Sequence, residues 1–218
     1  MKRENCVLVI AGPSAVGKTV VAKSIVEKDP RFTFLRSGTT RPKRGDAHDD
    51  EYLYYSEEEF LSAVDRGEFA EHMRYGGNLY GTPKSELKRA IDEGKIPLLV
   101  LDLVGVESLY NLEGFSACSV YVYTDISVIE ERLSARCFSD GVTPEMQKLY
   151  DTRCLQNRKD YSGIKAYSDC IFRFVKNDTT IDACRDAIMS VFGDFVFGSE
   201  YNLEENNNIA DSLVESVK

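Results

Sequence analysis

Residues 6–19 read CVLVIAGPSAVGKT, and this stretch decides the fold. Its first half, Cys6 to Ala11, is a short apolar run rich in β-branched residues, which predicts a buried strand. Its second half, Gly12 to Thr19, matches the pattern G-x-x-x-x-G-K-T, and apolar residues at helical spacing follow it. A glycine-rich turn between a buried strand and a helix predicts a loop that binds phosphate groups.

The chemistry of this loop follows from its glycines and from its last two residues. Glycines allow backbone N–H groups to converge on phosphate oxygens, and the helix that follows directs its positive dipole end toward the same charge. Lys18 can reach the β- and γ-phosphates of a nucleoside triphosphate, and the Thr19 hydroxyl is placed to bind Mg²⁺. The residues predicted to contact the triphosphate are Gly12, Ser14, Ala15, Val16, Gly17, Lys18 and Thr19.

Composition limits the class of protein. The 218 residues suit one globular domain with a small insertion, and a net charge of −9 argues against a nucleic-acid partner, which needs a basic face. Six scattered cysteines without a C-x-x-C pair, with only two histidines, give no zinc set and predict reduced thiols in a cytoplasmic protein. No apolar stretch reaches the ~18–20 residues of a membrane span, so we expect no membrane partner.

Predicted strands and helices alternate along the chain, which is typical of an α/β fold with a central parallel sheet flanked by helices. The predicted strands of this sheet cover residues 6–11, 32–36, 96–102, 119–123 and 170–175. Ser56 with Glu59 forms a capping-box pattern, and Thr143 and Thr180 precede two further helices. Residues 37–50 are polar and predict a loop, and residues 69–74 with the glycine turn after them predict a hairpin.

Arg41, Lys43 and Arg44 place three cations within four positions of the polar segment. Guanidinium groups match phosphate oxygens with two parallel hydrogen bonds. In an acidic protein, such a cluster close behind a phosphate loop indicates a second phosphate site. Tyr52 and Tyr80 are candidate hydroxyl donors to the same phosphate.

Glu71 lies on the first strand of the predicted hairpin. A carboxylate that faces a guanine ring accepts hydrogen bonds from its N1–H and its exocyclic amine, whereas adenine offers no such donor pair. A buried carboxylate left unpaired by adenine would therefore select guanine. Taken alone, Glu71 would be interpreted as an exposed surface charge.

Several of these motifs, in this order, resemble the guanylate kinase family of nucleoside monophosphate kinases from about residue 7 to residue 192. The matching segments are G-P-S-x-x-G-K-T (12–19), S-x-T-T-R (37–41), Gly45-Asp46, Tyr52, E-F-x-E (68–71), G-N-x-Y-G-T (77–82), Asp102 with Gly105-Val106, and Asn177-Asp178. The resemblance implies a P-loop kinase with a core at residues 1–36 and 83–192, a small mixed α/β GMP-binding insertion at about 37–82 and a mobile lid at about 134–153.

The resemblance implies Mg²⁺-dependent transfer of the ATP γ-phosphoryl group to GMP, or to dGMP, in purine nucleotide metabolism, by a monomer or homodimer. It assigns the GMP site to Ser37, Arg41, Lys43, Arg44, Tyr52, Glu71, Tyr80, Thr82 and Asp102. It assigns the catalytic cations to Lys18, Arg44, Arg136 and Arg153. It places Asn177 and Asp178 near the adenosine end of ATP, and Thr19 at the metal, with Asp102 as a candidate second ligand.

The departures of the chain from the family pattern include the second phosphate-binding position and the lid. Its segment RPKRGD (41–46) is one residue short, so either Lys43 or Arg44 fills the second phosphate-binding position. Its lid is longer than usual, so Lys148 competes with Arg153 for the second lid position. Residues 194–218 are acidic and rich in asparagine, which predicts a disordered or weakly helical tail without an assigned role.

Two other functions fit parts of this pattern. One is a kinase of another nucleotide or of a phosphorylated small molecule on the same scaffold, against which Glu71 and Thr82 argue because both suit guanine. The other is a non-catalytic guanylate kinase-like module that binds phosphopeptides, against which the intact phosphate loop argues.

Overall fold

A computed structural model describes residues 3–43, 52–75, 77–139 and 141–218, and its centre is a five-stranded sheet. The strands are β1 (Cys6–Ala11), β2 (Phe32–Phe34), β7 (Ile96–Val100), β8 (Ser116–Tyr123) and β9 (Arg173–Lys176). They lie in the order β2-β7-β1-β8-β9, and each neighbouring pair is parallel. The predicted α/β fold with a central parallel sheet is confirmed.

Helices cover both faces of this sheet. They are α1 (Lys18–Lys28), α3 (Lys84–Asp92), α4 (Leu103–Tyr110), α5 (Ile126–Cys137), α6 (Pro144–Gly163), α7 (Ile181–Val196) and α8 (Leu203–Glu215). Because side chains alternate along a strand, Leu8 and Ile10 face α1 and α7, whereas Val7 and Val9 face α3, α4, α6 and α8. None of the described helices has the length and apolar character that a bilayer crossing requires.

A second sheet stands beside the first. Its elements are β3 (Ser37–Thr39), β4 (Tyr52–Tyr54), β5 (Phe69–Tyr75), β6 (Asn78–Pro83) and the helix α2 (Glu57–Asp65). The strands lie in the order β4-β3-β6-β5, so the prediction that residues 37–50 form only a loop is wrong at β3. A Cβ atom at Gly38 would lie 2.8 Å from the Phe69 ring, so the backbone of β3 passes close to this ring. A polarity pattern does not reveal such an approach.

The structure contains the predicted helix caps. Ser56 and Glu59 form the predicted capping box of α2, and the hydroxyls of Thr143 and Thr180 accept from the first turns of α6 and α7. The strand predicted over 96–102 ends earlier, and Asp102 instead caps α4, because its Oδ1 accepts from the backbone N–H of Gly105 at 2.8 Å. The strand predicted over 170–175 is shifted, since residues 164–170 form a 3₁₀ helix.

The disordered state predicted for the tail is wrong and the helical alternative is the one observed, because α7 extends to Val196 and α8 follows it. Ala210 and Leu213 on α8 belong to the buried core, and α8 packs on the 3₁₀ helix 164–170 and on α6. Asn206 is fully buried, and its Nδ2 donates to the carbonyl oxygen of Ile171 at 2.6 Å. The asparagine-rich composition concealed an apolar stripe at helical spacing.

Truncating Leu213 to alanine is expected to reduce the free energy of unfolding by about 2–4 kcal/mol, because the change leaves a cavity in the core. Leu203, on the same helix but 45% exposed, provides the control, and Leu203→Ala should cost less than about 1 kcal/mol. Urea denaturation followed by circular dichroism measures both. Equal losses for the two variants would show that α8 is not packed as described.

Candidate active site

The predicted phosphate loop lies between β1 and α1, at the carboxyl edge of the parallel sheet. Gly12 and Gly17 have φ angles of 145° and 105°, which favour glycine, and Ala15 also has a positive φ of 66°. A Cβ atom at Gly12 would lie 2.2 Å from the carbonyl oxygen of Val122. Position 12 therefore accepts only glycine if the loop is to keep this course.

Lys18 closes the loop on itself. Its Nζ donates to the carbonyl oxygens of Gly12 and Pro13 at 2.6 and 2.7 Å. Burial lowers the pKa of Lys18 to about 8, and the carboxylates of Asp160 and Asp102 act in the opposite direction. The ammonium group is thus held at the loop with two carboxylates close to it.

The helix α6 contacts the loop from the side. Arg153 donates from Nη1 to the Ser14 hydroxyl at 3.2 Å. Asn157 accepts from the Ser14 backbone N–H at 2.7 Å and donates from Nδ2 to the Ser14 carbonyl at 3.3 Å. Lys148, the competing lid cation, is exposed on the same helix. Of the two candidates, Arg153 is the one in contact with the loop.

Asn177 forms a hydrogen bond with the backbone of the loop. Its Nδ2 donates to the carbonyl oxygen of Val16 at 2.7 Å, and Arg132 reaches the carbonyl oxygens of Val16 and Asn177 at 3.5 and 3.4 Å. Asp178 is exposed and lies 3.4 Å from the Lys176 ammonium. Asn177 therefore contacts the loop backbone, and its predicted place near adenosine stays a prediction.

Cations and aromatic rings gather on the second sheet. Arg41 is only 8% exposed, and its guanidinium lies 5.0 Å from the Tyr52 ring centroid and 3.4 Å from the Tyr54 hydroxyl. Lys43 places its Nζ 5.1 Å from the Tyr54 ring centroid. The Tyr80 ring lies edge-on to Tyr52 at 6.4 Å. The predicted phosphate-binding residues of this sheet, as far as it is described, thus lie together.

Glu71 and Thr82 face each other across β5 and β6. Thr82 is buried, and its Oγ1 donates to Glu71 Oε1 at 2.6 Å. Burial raises the pKa of Glu71, while the Thr82 hydrogen bond lowers it and the Asp102 charge raises it further. Since the Asp102 charge also acts on Lys18, it lies within electrostatic reach of both the loop and the Glu71–Thr82 pair.

An open cavity of about 340 Å³ joins the two sheets. Its lining includes Thr19 from the start of α1, Ser37 and Tyr52 from the second sheet, and the end of β7 with Leu101. Three residues that were predicted from separate motifs thus border one space. A small molecule in this cavity would lie next to the phosphate loop.

The remaining predicted residues are placed as follows. Arg44 lies outside the described residues, and Arg136 is exposed in the last turn of α5. The predictions missed Arg132, Asn157 and Asp160. A usable signal existed for two of them, because Arg153, Asn157 and Asp160 follow the i, i+4, i+7 spacing of one helix face.

A parallel sheet with an intact phosphate loop, facing a small sheet that presents cations and a partly buried glutamate, defines a P-loop nucleoside monophosphate kinase. The chain belongs to the guanylate kinase family, whose model matches residues 4–183. The resemblance drawn from the motifs is thereby confirmed.

Individual relatives agree with this assignment. The chain is 36% identical over 162 residues to a guanylate kinase of Helicobacter pylori (72% of this chain, 78% of that protein). It is 32% identical over 170 residues to one of Cereibacter sphaeroides (77% and 78%). The crystal structure of guanylate kinase from Anaplasma phagocytophilum shares the fold, with a TM-score of 0.63 at 22% identity over 89% of this chain and 87% of that chain.

Proposed function

We propose that this chain transfers the γ-phosphoryl group of ATP to GMP with Mg²⁺, giving ADP and GDP. The observation that carries the proposal is the cavity of about 340 Å³ between the two sheets, which is lined by Thr19 beside the phosphate loop and by Ser37 and Tyr52 of the second sheet. This cavity lies between the helix that follows the phosphate loop and the sheet that carries the hydrogen-bonded Glu71–Thr82 pair. Membership in the guanylate kinase family supports the same reaction.

The donor half of the reaction uses the phosphate loop. Lys18 exchanges its two backbone carbonyl partners for oxygens of the β- and γ-phosphates, which keeps the ammonium charged as the triphosphate enters. The N-terminus of α1 directs its dipole toward the same phosphates. Asn177 holds the carbonyl of Val16, so the loop keeps its course during this exchange.

The oxygen donors of Thr19 and Asp102 suit Mg²⁺, which prefers hydroxyl, carboxylate and water ligands. Thr19 is exposed in the first turn of α1, and Asp102 lies near Lys18. When bound, the ion neutralises charge on the β- and γ-phosphates. These two side chains would hold it beside the phosphate loop.

The acceptor half uses the second sheet. Arg41 holds the GMP phosphate, with Ser37, Tyr52 and Tyr80 as further donors, and Lys43 or Arg44 adds a second cation. An oxygen of that phosphate is already an anion at neutral pH, so the attack needs no strong general base. Catalysis then consists of positioning and of neutralising charge.

The guanine base is read by Glu71 and Thr82. The Glu71 carboxylate accepts from N1–H and from the exocyclic amine, while the Thr82 hydroxyl keeps the carboxylate oriented. Adenine would leave this largely buried carboxylate without those donors, at a cost in binding free energy.

The lid contributes Arg136 and Arg153 to the transferred group. Arg153 contacts the loop at Ser14, whereas Arg136 is exposed and would have to move inward. Closure over ATP would also exclude water, which otherwise competes with GMP for the phosphoryl group.

The proposal is tested by incubating the protein with ATP, GMP and Mg²⁺ and separating the nucleotides. We expect ADP and GDP in equal amounts, and no transfer after chelation of the metal. ADP that forms without GDP would indicate hydrolysis, and the absence of both products would reject the kinase.

A further inference from the structure

The helix α6 turns one face toward the phosphate loop. Arg153, Asn157 and Asp160 follow each other at i, i+4 and i+7, the spacing of one helix face. Arg153 contacts the Ser14 hydroxyl, and the Asp160 charge raises the pKa of Lys18 against the effect of burial. Between them, Asn157 is fully buried against the backbone of Ser14.

Asn157 uses both ends of its amide on one residue. Its Oδ1 accepts from the Ser14 N–H at 2.7 Å, and its Nδ2 donates to the Ser14 carbonyl at 3.3 Å. An asparagine side chain offers a donor and an acceptor in one plane, as a peptide group does. A side chain of similar size without both functions would leave at least one of the two backbone groups without this partner.

The loop is consequently held at several points along its length, and two of them lie in its first half. Asn157 fixes Ser14, and Lys18 bonds to the carbonyls of Gly12 and Pro13. Lys18 must leave these carbonyls to reach a triphosphate, whereas Asn157 contacts the loop on the side of α6 and can stay in place. Asn157 is therefore the contact that can keep the first half of the loop in position when the triphosphate is bound.

We infer that Asn157 is a positioning residue for the triphosphate: it fixes Ser14 and couples the helix that carries the lid residue Arg153 to the phosphate loop. The inference rests on the proposed function, because it takes ATP as the ligand of the loop. It predicts that Asn157 governs the affinity for ATP and leaves the affinity for GMP unchanged.

A buried asparagine with a purely structural role provides the comparison. Asn206 on α8 is also fully buried, and its Nδ2 donates to a backbone carbonyl, that of Ile171, at 2.6 Å. It packs on the segment between α6 and β9 and makes no contribution to the loop contacts described above. Asn206→Leu and Asn157→Leu thus remove comparable buried amides from two places.

The test measures, by calorimetry, the dissociation constants of a non-hydrolysable ATP analogue with Mg²⁺ and of GMP, together with the melting temperature. We expect both leucine variants to melt at a lower temperature than the unaltered protein. Asn157→Leu should raise the dissociation constant of the analogue by at least about tenfold, or ~1.4 kcal/mol. It should change the dissociation constant of GMP by less than about twofold. Asn206→Leu should leave both ligands within about twofold of the unaltered protein.

Asn157→Asp carries the same test if the leucine variant does not fold. It keeps the acceptor for the Ser14 N–H but sets a carboxylate oxygen against the Ser14 carbonyl and adds a negative charge near the triphosphate. We expect the analogue to bind at least about tenfold more weakly here too, with GMP unaffected.

The positioning role would be overturned if the folded Asn157 variants bound the analogue within about twofold of the unaltered protein. It would also be overturned if Asn206→Leu weakened analogue binding as much as the Asn157 variants do. An unaltered protein that binds the analogue but not GMP would instead contradict the proposed function while leaving the role of Asn157 intact. Failure of the unaltered protein to bind the analogue would reject both.

Discussion

Replacing Lys18 with methionine is expected to lower the rate of GDP formation by at least about a thousandfold, because the transferred phosphoryl group loses the ammonium that neutralises its charge in the proposed mechanism. Methionine keeps much of the length of the lysine side chain but carries no charge. The two hydrogen bonds from Nζ to the carbonyls of Gly12 and Pro13 are also lost.

The measurement is GDP formation at saturating ATP and GMP, with circular dichroism to verify the fold. Lys28→Met provides the control, since Lys28 is exposed at the other end of α1 and its loss removes the same charge. The control should retain nearly full activity. Turnover of Lys18→Met within about tenfold of that of the unaltered protein would contradict the proposed role of the phosphate loop in the reaction.

Replacing Glu71 with glutamine is expected to reduce kcat/KM for GMP by about a hundredfold or more and to erode the preference for GMP over AMP. A carboxamide presents one acceptor and one donor, so its NH₂ group opposes a donor of guanine. The site is also largely buried, which raises the pKa of Glu71 and limits compensation by water. We therefore expect Glu71→Gln to impair the use of GMP and to leave the use of ATP unchanged.

The comparison is kcat/KM for GMP, AMP and ATP in the variant and in the control Glu68→Gln. Glu68 lies just before the same strand, but its carboxylate pairs with Arg66 at the surface, at 2.5 Å. The control should leave all three values near those of the unaltered protein. An unchanged ratio of GMP to AMP in Glu71→Gln would refute the guanine-reading role.

Features that depend on neighbouring residues in the chain were predictable. The phosphate loop, the capping box at Ser56 and the threonine caps at Thr143 and Thr180 are local arrangements, in which the side chain and its partner lie within a few residues. The Glu71–Thr82 pair was found through the family resemblance, and the structure supplies its hydrogen bond.

Features that depend on distant partners were not predictable. The strand β3 exists because two other strands pair with it, and α8 is ordered because Leu213 and Ala210 enter the core. Asn157 bonds to a residue 143 positions away, which no short motif encodes. The choice between Lys148 and Arg153 likewise needed the fold, which brings Arg153 to the loop.

In the proposed mechanism, an ATP site and a guanine-reading acceptor site lie next to each other. The most direct measurement is γ-phosphoryl transfer from labelled ATP to GMP, dGMP, AMP, CMP and UMP, each at the same concentration. We predict rapid labelling of GDP, with AMP, CMP and UMP labelled more slowly by at least about a hundredfold. Labelling of AMP or of a pyrimidine nucleotide at a rate equal to that of GMP would contradict it.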